Sequence, residues 1–588
     1  MKRVIRNLRF FVPILFKTNP FYIFIIIIRA LVDAVMSIAN VYFPKLVLDV
    51  IVDHGTKEEL FRIIIIYVLI IFASLFIQAI LNAFDNYFMR KAQFMLDGMF
   101  NKKVATIDYF LFEDPKFNEE MNYASECMNR YTGGIYSFVI MLQNIIRQIV
   151  TISGVIAIVI AFNNPILLLF LLINLIVAFI VAVRYQNTTE RYNVKWNENR
   201  LKHWYFISSI FDFPRHQVLR SYDGESLIKE KGDFYSNIAL NNEKVMAKEN
   251  KLTGIIENLN SYVLTGVVLA ILLVSVFNGK ITIPELSMLF TGIFVLQGGF
   301  ESLVYCVKTY LKDCKYLDNY INFMERDTIY KNGTTDIDEI KSIEFRNVYF
   351  KYPRTDNFVL EDVSFKIDLN KKISLVGVNG AGKTTIIKLM CRFYDPTKGD
   401  ILINGIDIKE ISEASLLMNL SIVFQDFKII SFNIKDNIEI DNNDKDRLDD
   451  ALKKSLIYDR VQELPNKEYT YINKWFDKEG IVFSGGEMQK FAFSRSLYKD
   501  GSFVVLDEPT SALDALSEAK IYKDFNEIVG KKPTLYISHR LSSCIFSDEI
   551  IVLDGKRIAQ VGSHEERMKD EDGLYSKMFK AQAEYYNE

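Results

Sequence analysis

The run Gly377-Val378-Asn379-Gly380-Ala381-Gly382-Lys383-Thr384 fits the pattern G-x-x-x-x-G-K-[ST]. It is flanked by the apolar run Ile373–Val376, which reads as a buried strand, and by Ile386–Met390, the apolar face of a following helix. A loop between a strand and a helix N-terminus turns backbone N–H groups and the positive helix end toward one anion. Gly377, Gly380 and Gly382 let the backbone wrap that anion without a Cβ in the way. Lys383 is placed to reach the β- and γ-phosphates of a nucleotide, and the Thr384 hydroxyl to ligate Mg²⁺.

Two further clusters suit the same chemistry. The apolar run Phe503–Leu506 ends in Asp507-Glu508, a buried strand delivering two carboxylates at its C-terminal end, where α/β sheets place ligands. Asp507 is the candidate to help hold Mg²⁺, and Glu508 the candidate general base for an attacking water. Between these carboxylates and the loop lies F-S-G-G-E-M-Q-K, Phe483–Lys490, ahead of a helical pattern. Ser484, Gly485 and Gly486 thus form a second helix N-terminus suited to an anion. One nucleotide needs only one phosphate loop, so the second site requires its own explanation.

The elements that must carry these groups occupy the second half of the chain. At 588 residues the chain is too long for one core. Its first half carries six apolar segments of membrane-spanning length, near 21–51, 61–84, 136–162, 165–184, 258–278 and 282–305. Short joints link spans one–two, three–four and five–six, whereas long connections separate two–three and four–five. The joints hold only the basic residues Lys57, Arg62 and Lys280. Arg3, Arg6, Arg90, Lys91 and Arg184 sit near the opposite span ends, which places the N-terminus, the long connections and the C-terminal half in the cytoplasm. The long connections read as helices continuing the spans as stalks, with transverse segments at their tips near Phe112–Glu120 and Phe213–Asp223.

The start, M-K-R-V-I-R-N-L-R-F-F, interleaves basic and apolar residues with no small-residue cleavage site after it. It reads as an amphipathic helix on the cytoplasmic membrane surface, with no soluble domain ahead of the first span. The net charge of −3 argues against nucleic acid as the main partner. Five scattered cysteines without a C-x-x-C pair exclude a disulfide framework and a zinc site, consistent with a reducing cytosolic face. Inside the spans, Arg29 and Asp33 lie four apart and are expected to pair. Arg147 and Glu301 fall at similar depth, and either pair with each other or line a cavity with Gln297.

The phosphate loop, S-G-G-E, L-D-E-P-T-S-A-L-D and I-S-H-R, in this order, resemble the nucleotide-binding domain of ATP-binding cassette (ABC) proteins. Six spans fused ahead of it resemble a half-transporter of the exporter branch. The expected fold is an α-helical six-span transmembrane domain with long cytosolic extensions, followed by an α/β P-loop ATPase domain. The boundaries are residues 1–19 for the elbow helix, 20–325 for the spans, 326–340 for a linker and 341–588 for the ATPase domain.

The resemblance implies ATP and Mg²⁺ as cofactors and a second half-transporter, identical or different, as partner. Membrane lipid and a transported substrate complete the set. It implies a multi-pass protein of the cytoplasmic membrane that exports peptide, lipid or an amphipathic small molecule. A membrane sensor or gate that binds ATP and transports nothing is the alternative. ATP would lie between the phosphate loop of one chain and the signature of the other. Tyr352 would stack on adenine, and Gly377, Asn379, Gly380, Ala381, Gly382, Lys383, Thr384 and Thr385 would surround the phosphates. Ser484, Gly485, Gly486 and Glu487 would reach across the dimer, with Asp514 in the crossing loop. Gln425 would sense Mg²⁺ and water, and His539 would hold the γ-phosphate. Departures are small: Phe483 for the usual Leu, Glu487 for Gln, and Asn370-Lys371 in place of a Gly-containing turn.

Overall fold

The computed structural model describes residues 2–129, 134–161, 202–209, 211, 213–368, 371–439, 444–508, 532–538 and 541–587, with scattered positions from 173 to 184. The chain forms two compact units, Met1–Ile107 with Pro115–Asp327, and Asp108–Asp114 with Thr328–Glu588.

The first unit is helical: α1 (Lys2–Thr18), α2 (Tyr22–Val52), α3 (Lys57–Thr106), α4 (Pro115–Ser125), α5 (Gly134–Ala161), α6 (Phe213–Ser221), α7 (Glu225–Phe277) and α8 (Ile283–Met324). Helix starts follow from local chemistry. Thr56 with Glu59, and Thr282 with Glu285, close capping boxes that satisfy the first N–H groups of α3 and α8. Five described helices, α2, α3, α5, α7 and α8, are long and apolar enough to cross a membrane. They match the first, second, third, fifth and sixth expected spans. The fourth, 165–184, falls largely outside the described residues.

Stalk and span are one continuous helix. With 50 residues in α3 and 53 in α7, a rise of 1.5 Å per residue gives roughly 75–80 Å, well beyond a hydrocarbon core of about 30 Å. The expected transverse tips are helical too, as α4, preceded by a 3₁₀ turn at Tyr109–Glu113, and as α6. One face of α1, with Asn7, Phe11, Ile14 and Leu15, is covered by protein, while Ile5 and Phe16 stay exposed. Phe11 is fully buried between Phe138 and Tyr320, and Asn7 Nδ2 donates to the Tyr310 hydroxyl at 3.0 Å. Arg6 bonds Glu325 at 2.7 Å, and Arg3 pairs with Asp318.

The second unit is α/β. An antiparallel sheet of β1 (Ser342–Phe350), β2 (Leu360–Asp368), β4 (Lys398–Ile403) and β5 (Ile406–Asp407) runs in the order β2-β1-β4-β5. A second sheet contains β3 (Lys372–Gly377), β6 (Leu420–Val423), β7 (Phe503–Asp507), β8 (Thr534–Ile537), β9 (Glu549–Asp554) and β10 (Arg557–Gly562), in the order β10-β9-β3-β8-β7-β6. Its strands are parallel from β9 to β6, with β10 folded back antiparallel at the edge. Burial on both faces accounts for the near-continuous apolar runs in β3 and β7. The fully buried Ile373, Leu375, Ile386, Leu389, Val505 and Leu535 form the core beneath the loop ends. A separate cluster around Leu448, Leu452, Phe483 and Phe491 anchors the helix that carries S-G-G-E.

Candidate nucleotide site

Strand β3 ends at Gly377 and helix α9 (Lys383–Met390) begins six residues later, so the phosphate loop spans the C-terminal edge of the sheet. Two glycines are required by geometry. A Cβ at Gly377 would lie 2.4 Å from the Leu553 carbonyl oxygen. Gly382, the N-cap of α9, has φ 99°, and a Cβ there would meet Leu360 at 2.6 Å. Lys383 is buried and folds back over the loop, its Nζ donating to the Gly377 carbonyl at 2.9 Å and to Val378 at 3.3 Å. Burial lowers its pKa, and the negative charges of Glu508 and Asp507 counter that fall. Asn379 and Gly380 are exposed, whereas Ala381 and Thr385 are buried and Thr384 half-buried.

The two candidate carboxylates stand beside this loop. Asp507 closes β7 fully buried, and both its oxygens lack a hydrogen-bond partner among the described residues. Burial pushes the Asp507 carboxyl up to about 6, while the neighbouring Thr384 hydroxyl favours its charged form. A buried, unsatisfied carboxylate next to a hydroxyl is the oxygen donor set that Mg²⁺ prefers, so these residues fit the ion. Glu508 follows in the left-handed region at φ 47°, held by its N–H donating to the Ile537 carbonyl at 2.9 Å. From the end of neighbouring β6, the Gln425 amide donates to Glu508 Oε2 at 2.6 Å. Three strand ends, β3, β6 and β7, thus bring together Lys383, Gln425, Asp507 and Glu508.

Tyr352 lies just past β1, where Phe350 and Tyr394 meet its ring edge-to-face at 5.1 and 5.3 Å. Its hydroxyl is 3.0 Å from Thr385 Oγ1, and Lys388 Nζ sits 5.4 Å from its ring centroid. The segment Asp108–Asp114 meets the same corner. Lys388 and Tyr394 both donate to Glu113, at 2.9 Å for Lys388, and Tyr109 stacks on Phe393 at 4.4 Å. Arg354 bonds Asp114 at 2.5 Å. Sequence reasoning missed Lys388 and Glu113, which meet only through the fold and belong to no short-range pattern.

The S-G-G-E segment caps helix α10 (Gly485–Lys499). Ser484 and Gly485 are exposed, with Gly486 half-exposed. Glu487 closes a capping box: its Oε2 accepts from the Ser484 N–H at 2.8 Å, and its Oε1 accepts from Arg460 Nε at 3.0 Å. Hydrogen bonding from the Ser484 backbone, with Arg460, holds its carboxyl below the usual range. Glu487 therefore positions Ser484, a role that the S-x-x-E spacing signals. Asp514 and His539 lie outside the described residues.

Within the helical unit, the expected Arg29–Asp33 pairing is corrected, and of the two alternatives for Arg147 and Glu301 the direct pairing is not formed. Arg29 bonds Asp85 on α3 at 3.2 Å rather than Asp33, and Asp33 meets Arg147 at 3.7 Å. Glu301 accepts from Gln297 at 3.1 Å, and Gln297 also meets Ser261. Spacing along one helix sets which face a charge occupies. Which neighbouring helix that face meets depends on rotations the spacing does not contain.

Similarity to known proteins runs through both units. A family model described as ABC transporter matches residues 360–511, from β2 through Glu508. The chain is 26% identical over 569 residues to the subtilin transport ATP-binding protein SpaT of Bacillus subtilis, covering 95% of this chain and 91% of that one. It is 27% identical over 417 residues to the ATP-dependent lipid A-core flippase of Escherichia coli K12, covering 70% of this chain and 71% of that one. It is 38% identical over 244 residues to the ATM1-type heavy metal exporter of Novosphingobium aromaticivorans, but there covers only 41% of this chain and 39% of the relative. The structure of a bacterial Atm1-family ABC exporter with ATP bound shares the fold, with TM-score 0.83 and 22% identity over 97% of this chain and all of that one. The chain is similar to ABC exporters along nearly its whole length, with five described helices long and apolar enough to cross a membrane fused to a C-terminal unit that carries the ABC transporter match.

Proposed function

We propose that this chain is one half of an ATP-driven exporter that hydrolyses ATP to move a substrate across the cytoplasmic membrane. The observation that carries the reading is the convergence of Lys383, Gln425, Asp507 and Glu508 at the ends of β3, β6 and β7 on one edge of the sheet. Lys383, released from the loop carbonyls it now bonds, carries positive charge to the β- and γ-phosphates. Asp507 and Thr384, with Gln425, would hold Mg²⁺, which when bound neutralises phosphate charge. Glu508 accepts a proton from the attacking water, and Gln425 orients that carboxylate. Tyr352 offers an aromatic face for adenine, and His539 would contact the γ-phosphate.

The exposed Ser484 and Gly485 suit a site completed by a second half-transporter. Their N–H groups and helix end would meet the ATP held by the partner, so binding draws two nucleotide domains together. The differential affinity of nucleotide for that closed state then shifts the membrane helices between inward- and outward-facing arrangements. The named relatives carry cargo as different as subtilin, heavy metal and lipid A-core, so the family alone does not choose among peptide, lipid and small amphipathic molecules.

The test is transport by the purified chain in inside-out vesicles supplied with ATP, with a cargo panel drawn from those three classes. ATP-dependent uptake that vanishes with Glu508→Gln supports the exporter reading. Glu508-dependent hydrolysis without uptake of any class favours the sensor or gate.

A further inference from the structure

Helices α2, α3 and α5 enclose a cavity of about 280 Å³ in the membrane-spanning region, lined by two arginines, Arg29 and Arg147, and two aspartates, Asp33 and Asp85. Four ionisable groups inside a membrane bundle are costly unless they serve each other or a ligand. The two pairs are not equivalent. Asp85 accepts three side-chain hydrogen bonds: the Tyr22 hydroxyl donates to it at 2.6 Å, the Gln143 amide at 2.7 Å and Arg29 at 3.2 Å. Asp33 receives the Gln78 amide at 2.7 Å, but its ion pair with Arg147 is long, 3.7 Å. The Arg147 Nε is buried and lacks a hydrogen-bond partner among the described residues. Arg29–Asp85 is thus the more firmly bonded pair, and Arg147–Asp33 a looser pair lining the same cavity.

Charge conservation limits what can enter. The four lining charges sum to zero. A purely anionic guest at Arg147 would leave Asp33 and the guest as like charges in a medium of low dielectric, and a purely cationic guest at Asp33 would do the same to Arg147. A guest carrying both signs a few ångströms apart meets both partners and leaves the cavity neutral. The volume suits a group of amino-acid or headgroup size rather than a whole lipid or peptide.

We propose that this cavity is a subsite for a compact zwitterionic group of the cargo, its anionic end on Arg147 and its ammonium on Asp33. The proposal rests on the exporter reading for the word cargo, though the binding site itself does not. Two sources share this chemistry: a free α-amino acid moiety and an aminophosphate lipid headgroup.

The test is direct binding to the full chain in lipid nanodiscs. Radiolabelled alanine is compared with N-acetylalanine and alaninamide, which each lack one charge. Short-chain phosphatidylethanolamine is compared with short-chain phosphatidylglycerol. The expected result is at least roughly tenfold tighter binding of the zwitterion in one of these series, the size of one charged contact. The series that discriminates identifies the source. Arg147→Gln and Asp33→Asn should each remove that preference, and the double variant should lose no more than either single one. Equal binding across both series, or tighter binding of a singly charged analogue, overturns the proposal on the wild-type protein alone, even where a variant fails to fold. Preference for the zwitterion that survives Arg147→Gln in a folded variant overturns it as well. ATP hydrolysis and vesicle uptake are measured in parallel. Zwitterion binding without ATP-driven uptake rejects the exporter reading and keeps the site, whereas uptake without charge discrimination rejects only the site.

Discussion

The Gln425 amide nitrogen lies 2.6 Å from the Glu508 carboxylate, joining the ends of adjacent strands β6 and β7. The proposed base is thus already oriented by a neighbour that can also face Mg²⁺ and water. If orientation is the role of Gln425, Gln425→Ala lowers turnover about 10- to 100-fold while leaving ATP affinity nearly unchanged. Steady-state hydrolysis alongside equilibrium binding of a fluorescent nucleotide separates the two effects.

Burial holds the Asp507 carboxyl up to about 6. Above that pH it is ionised and open to a cation; below it a proton competes. The Mg²⁺ concentration for half-maximal hydrolysis should rise as pH falls from 7 toward 5.5, a trend read from Mg²⁺ titrations at fixed ATP. The same shift has a stability consequence of opposite appearance. With a folded pKa above the unfolded one, the nucleotide-free domain binds more protons than its unfolded chain, so it gains stability as pH falls from 6 toward 4. Asp507→Asn should therefore stabilise the nucleotide-free protein at pH 7.5 by on the order of 1–3 kcal/mol while abolishing Mg²⁺-dependent turnover. Thermal melts with and without chelator check both statements.

The P-loop lysine is held by the carbonyls of Gly377 and Val378. Lys383→Ala removes the one buried cation of the loop, and ATP affinity should fall by about tenfold or more, the size of a lost charge-assisted contact. Isothermal titration with a non-hydrolysable ATP analogue reads this directly, and unchanged affinity would remove Lys383 from phosphate recognition.

Ser484 and Glu487 cap α10 reciprocally, with Arg460 on the far oxygen of Glu487. Ser484→Ala should cost about 1 kcal/mol of domain stability through the cap alone, and Glu487→Ala a similar amount. Glu487→Gln keeps the box and should cost less than either. Urea unfolding of the three variants ranks them.

How much was legible from sequence follows the range of each interaction. Phosphate loop, strand-terminal Asp507-Glu508 and the S-x-x-E cap are short-range patterns, and α9, β7 and α10 form where those patterns place them. Five spans were equally plain, because a helix of twenty apolar residues needs no partner to be recognised. What spacing could not supply was contact between elements. Arg29 turned to Asp85 because the facing side of α3 carries that aspartate, fixed further by Tyr22 and Gln143. Glu113 met Lys388 and Tyr394 across nearly three hundred positions of chain. Such pairings depend on helix rotation and loop path, which the linear pattern leaves free.

The central claim, that Glu508 is the base of a working ATPase, is tested most directly by hydrolysis in lipid nanodiscs, comparing wild type with Glu508→Gln. Glu508→Gln is expected to bind ATP with near-wild-type affinity while turnover falls by about 100-fold or more, in the range lost when a general base is removed. Turnover by Glu508→Gln at the wild-type rate would contradict it.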